Sequence, residues 1–259
     1  TLNLKEAKIK SDSSINELKE LTLISSLDSK SVRRISVKSD WLDATVEGIY
    51  SITKIWPSLK EQLIRQFPDI AQTLKLKKSN LGDTVINQRY KFELNGKDVS
   101  ALRDLAHLNI EAKPFHIEGS VIDLENYMLA SWNIPYLKIN DMNVVNSVGR
   151  VEAKGGIAYT SARIDSTFSK SFNMPFMVLT ADMAYNKANF SIVTPKVTNL
   201  VNNIDLRGTL ELIDSTYHMK FSSSAVSFLD RKWNILPDNE IAFRRGYIQT
   251  RNLQFVNGK

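Results

Sequence analysis

The side chains in this 259-residue chain best suited to acid–base, nucleophilic or metal chemistry are three histidines and a scatter of carboxylates; there is no cysteine. His107, His116 and His218 are too widely spaced for the short ligand intervals of a metal site, and no thiolate joins them. Each reads as a surface or hydrogen-bonded structural histidine. The absence of Cys excludes a disulfide framework and a thiolate nucleophile. It leaves the redox compartment open, because cytosol and periplasm both accept it.

General acid–base work needs two carboxyls whose surroundings drive their pKa values apart. The candidate pairs are Asp98/Asp104, Asp123/Glu125 and Asp238/Glu240. Each falls in or beside turn-forming sequence or on a polar strand face, which reads as solvated turn chemistry. Gly155-Gly156 lies in strand-like sequence and reads as a bulge or bend, not a phosphate cradle. No nucleophile elbow, Walker loop, zinc-helix motif or dinucleotide fingerprint is present. The expectation is a protein that is not an enzyme and uses no cofactor or metal. A hydrolase stays open only if a carboxylate pair sits in a pocket.

Charge offers a second possible chemistry. With 34 Lys+Arg against 28 Asp+Glu the net charge is +6. Basic pairs occur at Arg33-Arg34, Lys77-Lys78, Arg231-Lys232 and Arg244-Arg245, with Trp233 and Phe243 near enough to stack on bases. The cations are spread along the chain among nearly as many acids, and no nucleic-acid signature is present, so no nucleic-acid partner is expected. The same surface suits anionic lipid headgroups.

The elements that position these residues follow mainly one rule. Apolar residues recur at every second position in short runs divided by Asn, Asp, Gly, Ser or Pro, the signature of strands with one apolar face. Examples are Leu42/Ala44/Val46, Tyr90/Phe92/Leu94, Ile117/Gly119/Val121, Ile157/Tyr159 and Tyr217/Met219/Phe221. Asn95-Gly96 is strong hairpin-turn chemistry. Between Ile52 and about Leu76 the period lengthens: Trp56, Leu59, Leu63 and Phe67 share a helical face, Pro57 suits a first turn and Pro68 a stop. A helix at about 57–67 and a short second one at 69–75 are expected, with further helical turns at 99–105 capped by Asp98. No linker or sequence repeat divides the chain, and KLKKSN (75–80) is one short basic loop. The reading is therefore a mostly β, antiparallel-rich, single continuous unit over 1–259 with a helical insertion near 52–75.

A sheet with one apolar face must bury it on something. A sandwich closes two such faces on each other. A sheet curled lengthwise instead encloses an apolar trough, where each acyl CH₂ leaving water gains roughly 0.8 kcal/mol. Periodicity leaves both open.

Two segments carry a family resemblance. One is Arg34-Ile35-Ser36-Val37-Lys38-Ser39-Asp40-Trp41-Leu42-Asp43-Ala44-Thr45-Val46-Glu47-Gly48-Ile49-Tyr50, running directly into the helical insertion. The other is Trp233-Asn234-Ile235-Leu236-Pro237-Asp238-Asn239-Glu240-Ile241-Ala242-Phe243. Patterns like S-D-x-x-D-A-x-x-x-G-x-Y and W-x-x-x-P-D-N-x-I-x-F resemble the TamB branch of the AsmA-like family of diderm bacteria. The resemblance implies an elongated, curved antiparallel sheet, a β-taco with a U-shaped apolar groove. It implies a protein anchored in the inner membrane and crossing the periplasm, thought to conduct phospholipids toward the outer membrane, with a β-barrel partner there. The chain starts at Thr1-Leu2-Asn3 and ends at Val256-Asn257-Gly258-Lys259, so an internal or C-terminal-region fragment of such a bridge is expected, carrying neither anchor nor transmembrane segment.

On this reading phospholipid acyl chains would run along a wall made by Leu42, Val46, Tyr90, Phe92, Ile117, Val121, Ile139, Val151, Ile157, Phe168, Phe190, Ile192, Leu206, Leu210, Met219, Phe221, Ile241 and Phe243. The alternative is a non-enzymatic scaffold or chaperone module that offers open sheet edges to an outer-membrane β-barrel protein.

Overall fold

The computed structural model describes residues 1–10, 15–73, 76, 87–98, 109–170, 173–174, 176–194, 203–228, 231–244 and 246–257. The helical turns expected at 99–105, His107, Asp104 and all but one residue of the 75–80 loop lie outside them.

The early strands are β1 (Leu2–Lys10), β2 (Ile15–Leu27), β3 (Arg33–Ser39), β4 (Leu42–Ile49), β5 (Arg89–Gly96), β6 (Ile110–Ala112), β7 (Phe115–Ile122) and β8 (Tyr127–Ile139). Next come β9 (Met142–Lys154), β10 (Ile157–Phe168), β11 (Asn173–Met174), β12 (Met177–Ala184), β13 (Lys187–Val193) and β14 (Ile204–Ile213). The last are β15 (Thr216–Phe221), β16 (Ser224–Phe228), β17 (Arg231–Ile235), β18 (Glu240–Arg244), β19 (Tyr247–Arg251) and β20 (Phe255–Asn257). All belong to one curved antiparallel sheet that is not closed into a barrel. β1 through β5 pair in succession, followed by β7, β8, β9, β10, β12, β13 and β14. β14 then forks: its second half pairs with β15, which leads to β18 and β19, while Ile204 and Asp205 pair with β16, which leads to β17 and β20.

Directly opposed residues share a face, and the ladders keep one register throughout. Val46, Phe92, Gly119, Ala130, Val151, Thr160, Ala181, Phe190, Gly208 and Phe221 therefore form one row across the sheet from β4 to β15. A flanking row runs Tyr90, Val121, Met128, Ala153, Ala158 and Met183, and another runs Leu94, Ile117, Trp132, Gly149, Ala162 and Leu179. The intervening positions, among them Lys91, Glu93, Glu118, Arg150 and Glu152, point to the other face. One face is apolar and one wet.

Helix α1 (Ile52–Gln66) and the short α2 (Pro68–Thr73) are the helical insertion. α1 starts five residues before the expected position because Gln88 clamps its first turn: Ser51 N–H donates to Gln88 Oε1 at 3.1 Å and Gln88 Nε2 donates to Lys54 O at 2.8 Å. Pro57 thus lies inside the helix. Phe67, held out of the α region by Pro68, ends it with a backbone bond to Leu63 O at 2.8 Å. Asn95-Gly96 makes no hairpin. Asn95 opposes Asp43 and Gly96 opposes Leu42 inside the β4–β5 ladder, where Gly96 leaves room for the Phe115 ring. Gly155-Gly156, by contrast, is itself the β9–β10 turn, both residues at positive φ (58° and 86°), a conformation glycine adopts without strain. No described helix is long and apolar enough to cross a membrane.

Candidate functional site

α1 lies along one rim of the apolar face and crosses the strands. Ile55 and Leu59 pack on the Tyr50–Tyr90–Val121 cluster together with Ile35 and Val46, while Leu63 and Phe67 pack on Ala153, Ala158 and Met183 farther along. A second stripe of the helix, Ser58, Gln62 and Gln66, faces the turns at the strand ends. Ser58 Oγ shares its proton between the two oxygens of Asp123 (2.6 and 2.7 Å), and Gln62 Nε2 donates to Oδ1 at 2.5 Å. Gln88 N–H donates to Oδ2 at 3.2 Å, and Gly156 N–H reaches Gln66 Oε1 at 3.5 Å. The helix is thus latched to the rim by a carboxylate with neutral donors around it.

Asp123 is 3% exposed, so it is not the solvated turn residue its sequence context suggests; Glu125 is exposed and pairs with Lys154 at 3.6 Å. Tyr90 is buried beside this network. Burial first, then the Asp123 charge, pushes its phenol far above the usual value, and its hydroxyl has no hydrogen-bond partner among the described residues. Trp56, expected on the packed face of the helix, is 69% exposed. Ile55 and the Ser58 stripe take the contacts instead, which turns Trp56 away from them.

Beyond the helix footprint the apolar face is only half-buried. Of the expected wall residues, Tyr90 and Val121 are fully buried, and both lie under α1. Leu42, Val46, Phe92, Ile117, Val151, Phe190, Ile192, Leu206, Leu210, Met219, Phe221, Ile241 and Phe243 share that face and remain half-buried, with Phe168 exposed at its far end. Ile139 and Ile157 do not belong to it. Ile157 is one residue out of phase with Ala158, which packs under the helix, and Ile139 is out of phase with Trp132; both point to the wet face and are exposed. Isoleucine at those positions looked like a continuation of the apolar alternation, but each begins or ends its strand, where phase is set by the turn.

The two sequence patterns are structural. Ser39 Oγ accepts from the Trp41 and Leu42 N–H groups and donates to Leu42 O, closing the β3–β4 turn. The Asp40 carboxylate accepts the Lys19 and Glu20 N–H groups of β2, each at 3.2 Å. Asp43 binds Lys97 Nζ at 2.7 Å, and Tyr50 donates to Val46 O at 3.0 Å. Gly48 sits at φ 151° with the Arg89 carbonyl 2.1 Å from where a β-carbon would stand. In the second pattern Asn239, 2% exposed, accepts from Phe221 N–H and donates to Phe221 O and Leu236 O, which stitches the fork between β15 and β17.

Searches of family models, curated proteins and solved structures find no match to this chain.

The remaining candidates lie on the wet face. His116 Nδ1 bonds Asn95 Oδ1 at 2.7 Å between Glu93 and Glu118, and His218 Nδ1 bonds Glu240 Oε1 at 2.6 Å. Asp238 is in a turn at φ 64°. A depression of about 400 Å³ is lined by the charged Arg34, Glu47, Lys91, Glu93 and Glu118 and also by Phe92 and Leu129. Among the described residues no group of His, Asp and Glu is arranged to hold a metal. Sequence reasoning missed Gln88 and the Ser58/Gln62/Gln66 stripe. The i, i+4 spacing of that stripe was the available signal, but polar residues at helical spacing ordinarily mark a solvated face.

Proposed function

We propose that this chain is a non-enzymatic segment of a periplasmic bridge, of the TamB branch of AsmA-like proteins, that carries phospholipids between inner and outer membrane along its apolar groove. The full-length protein is anchored in the inner membrane and meets a β-barrel partner at the outer one. The observation that supports this reading is the half-exposed apolar face: Val, Phe, Ile and Leu side chains line it across the sheet, and among the described residues no second layer beyond α1 covers them. A dry sandwich core would bury those side chains. Acyl chains complete the burial without needing hydrogen-bond partners, and the polar outer face stays in water. Native mass spectrometry and lipid extraction of the purified chain test it. Co-purifying phospholipid is the expected result; a lipid-free protein that also takes up no phospholipid from vesicles overturns it.

A second reading, a scaffold that pairs strands with an outer-membrane β-barrel protein, draws on β19, whose five residues are all exposed. Under that reading Ile248→Pro abolishes function and Phe92→Asp does not; under the groove reading the order reverses.

A further inference from the structure

Four aromatic rings on the apolar face lie across glycines. Phe92 directly opposes Gly119, Trp132 opposes Gly149, Phe115 opposes Gly96 and Phe190 opposes Gly208. In each pair the ring fills the place of the missing side chain. A β-carbon at Gly149 would lie 2.2 Å from Trp132 Cζ2, one at Gly96 2.2 Å from Phe115 Cε1, one at Gly119 2.5 Å from Phe92 Cζ, and one at Gly208 3.0 Å from Phe190 Cζ. Strand side chains normally stand roughly perpendicular to the sheet; these rings lie down along it. Trp132 is fastened a second time, its Nε1 donating to the buried Ser147 Oγ at 3.0 Å.

All four rings are half-buried, and among the described residues no complete layer covers them, although Phe92 also packs at the edge of the cluster under α1. The paired glycines and the Ser147 bond hold them. Resting on the lipid reading, we infer that these glycines are specificity-determining residues of the groove: they set its height. A ring laid over glycine presents its face to the lumen and leaves a lane in which an unbranched acyl chain crosses the strands. A methyl group on the glycine lifts the ring into that lane. At Gly96 the three nearest obstacles are all ring atoms; at Gly149 the indole at 2.2 Å is the nearest and the Ser161 carbonyl at 2.8 Å must also give slightly, so alanine at either position meets the ring first. At Gly119 and Gly208 a backbone carbonyl lies 2.2 and 2.1 Å away, so substitution there disturbs the ladder itself.

The test uses the whole chain with Trp41, Trp56 and Trp233 replaced by Phe, leaving Trp132 as the sole indole, and vesicles of phosphatidylcholine brominated on its acyl chains. Bound lipid should quench Trp132, Gly149→Ala should lower bound lipid about fivefold or more, and adding Trp132→Ala to Gly149→Ala should restore it. If the parent takes up no lipid, the transport reading itself fails. If the parent binds lipid but Trp132 is unquenched, or Gly149→Ala binds as the parent does, the groove-height inference fails alone. Should Gly149→Ala lose the β circular-dichroism signal, Ser147→Ala decides: it frees the indole without adding bulk, and lipid uptake equal to the parent's overturns the inference, whereas a two- to threefold loss upholds it.

Discussion

Ser58 Oγ on the rim helix sits 2.6 Å from Oδ1 and 2.7 Å from Oδ2 of Asp123, a carboxylate 65 residues later in the chain. Gln62 and the Gln88 backbone also donate to it, so among the described residues this buried carboxyl is held by hydrogen bonds and by no cation. Removing it strands several buried donors at once. Asp123→Ala should destabilise the protein by about 2–4 kcal/mol. The measurement is a urea midpoint together with hydrogen exchange, in which α1 amides should lose protection before those of β8 and β9. Equal protection in the variant would sink the latch.

Register assigns the two faces, and charge can test the assignment. Phe221 is half-buried on the apolar face, in edge-to-face contact with Phe190 at 6.1 Å between ring centres, whereas Ile157 is exposed on the wet one. Phe221→Asp puts an unpaired charge where acyl chains would lie, and lipid uptake should fall about tenfold with the β spectrum retained. Ile157→Asp should change neither. Equal losses in the two variants would mean that the groove does not run along this face.

Asn239 holds the sheet's fork through one accepted and two donated bonds. Asn239→Ala leaves the Phe221 and Leu236 backbone groups unpaired and should cost about 1–3 kcal/mol. Hydrogen exchange should rise in β16, β17 and β20 while β8–β10 stay protected. Uniform change across the sheet would contradict a local stitch.

Acid should loosen the two ends of the sheet. Burial alone would raise the Asp40 carboxyl, but the Lys19 and Glu20 backbone N–H groups outweigh it and hold it below its ordinary 3.8. The His218 hydrogen bond, opposed by burial and aided by Arg251, holds Glu240 below its ordinary 4.5. A carboxyl more acidic folded than unfolded gives stability that is complete above the unfolded value and lost as pH falls through the folded one. The urea midpoint should therefore fall as pH drops below the ordinary values of 4.5 and 3.8, and Asp40→Asn with Glu240→Gln should flatten that slope. An unchanged slope would exclude both groups.

Much of the fold was legible in the residues. Alternation at Tyr90/Phe92/Leu94 or Ile117/Gly119/Val121 fixes which side chains share a face, because successive β-carbons must point to opposite sides of a strand. Pro68 fixes where α1 stops, because it bars the α conformation to Phe67. The same local logic failed at Asn95-Gly96, where the glycine answers to the Phe115 ring across the ladder and not to a turn. It also failed at Ile139 and Ile157, which continue the apolar pattern in composition but fall on the opposite face.

Alternation and turn chemistry, both set by bonding over a few residues, were enough to establish an antiparallel β chain with one apolar face and a helical insertion. Folding in three dimensions decided what those residues could not: that Asp123 is buried while Trp56 is exposed, that four rings lie on glycines, and that the apolar row stays half-open. Each of these depends on which distant element arrives at a given side chain. Gln88 reaching Lys54, or Ser58 reaching Asp123, is a contact between segments far apart in the chain, and no local period records it.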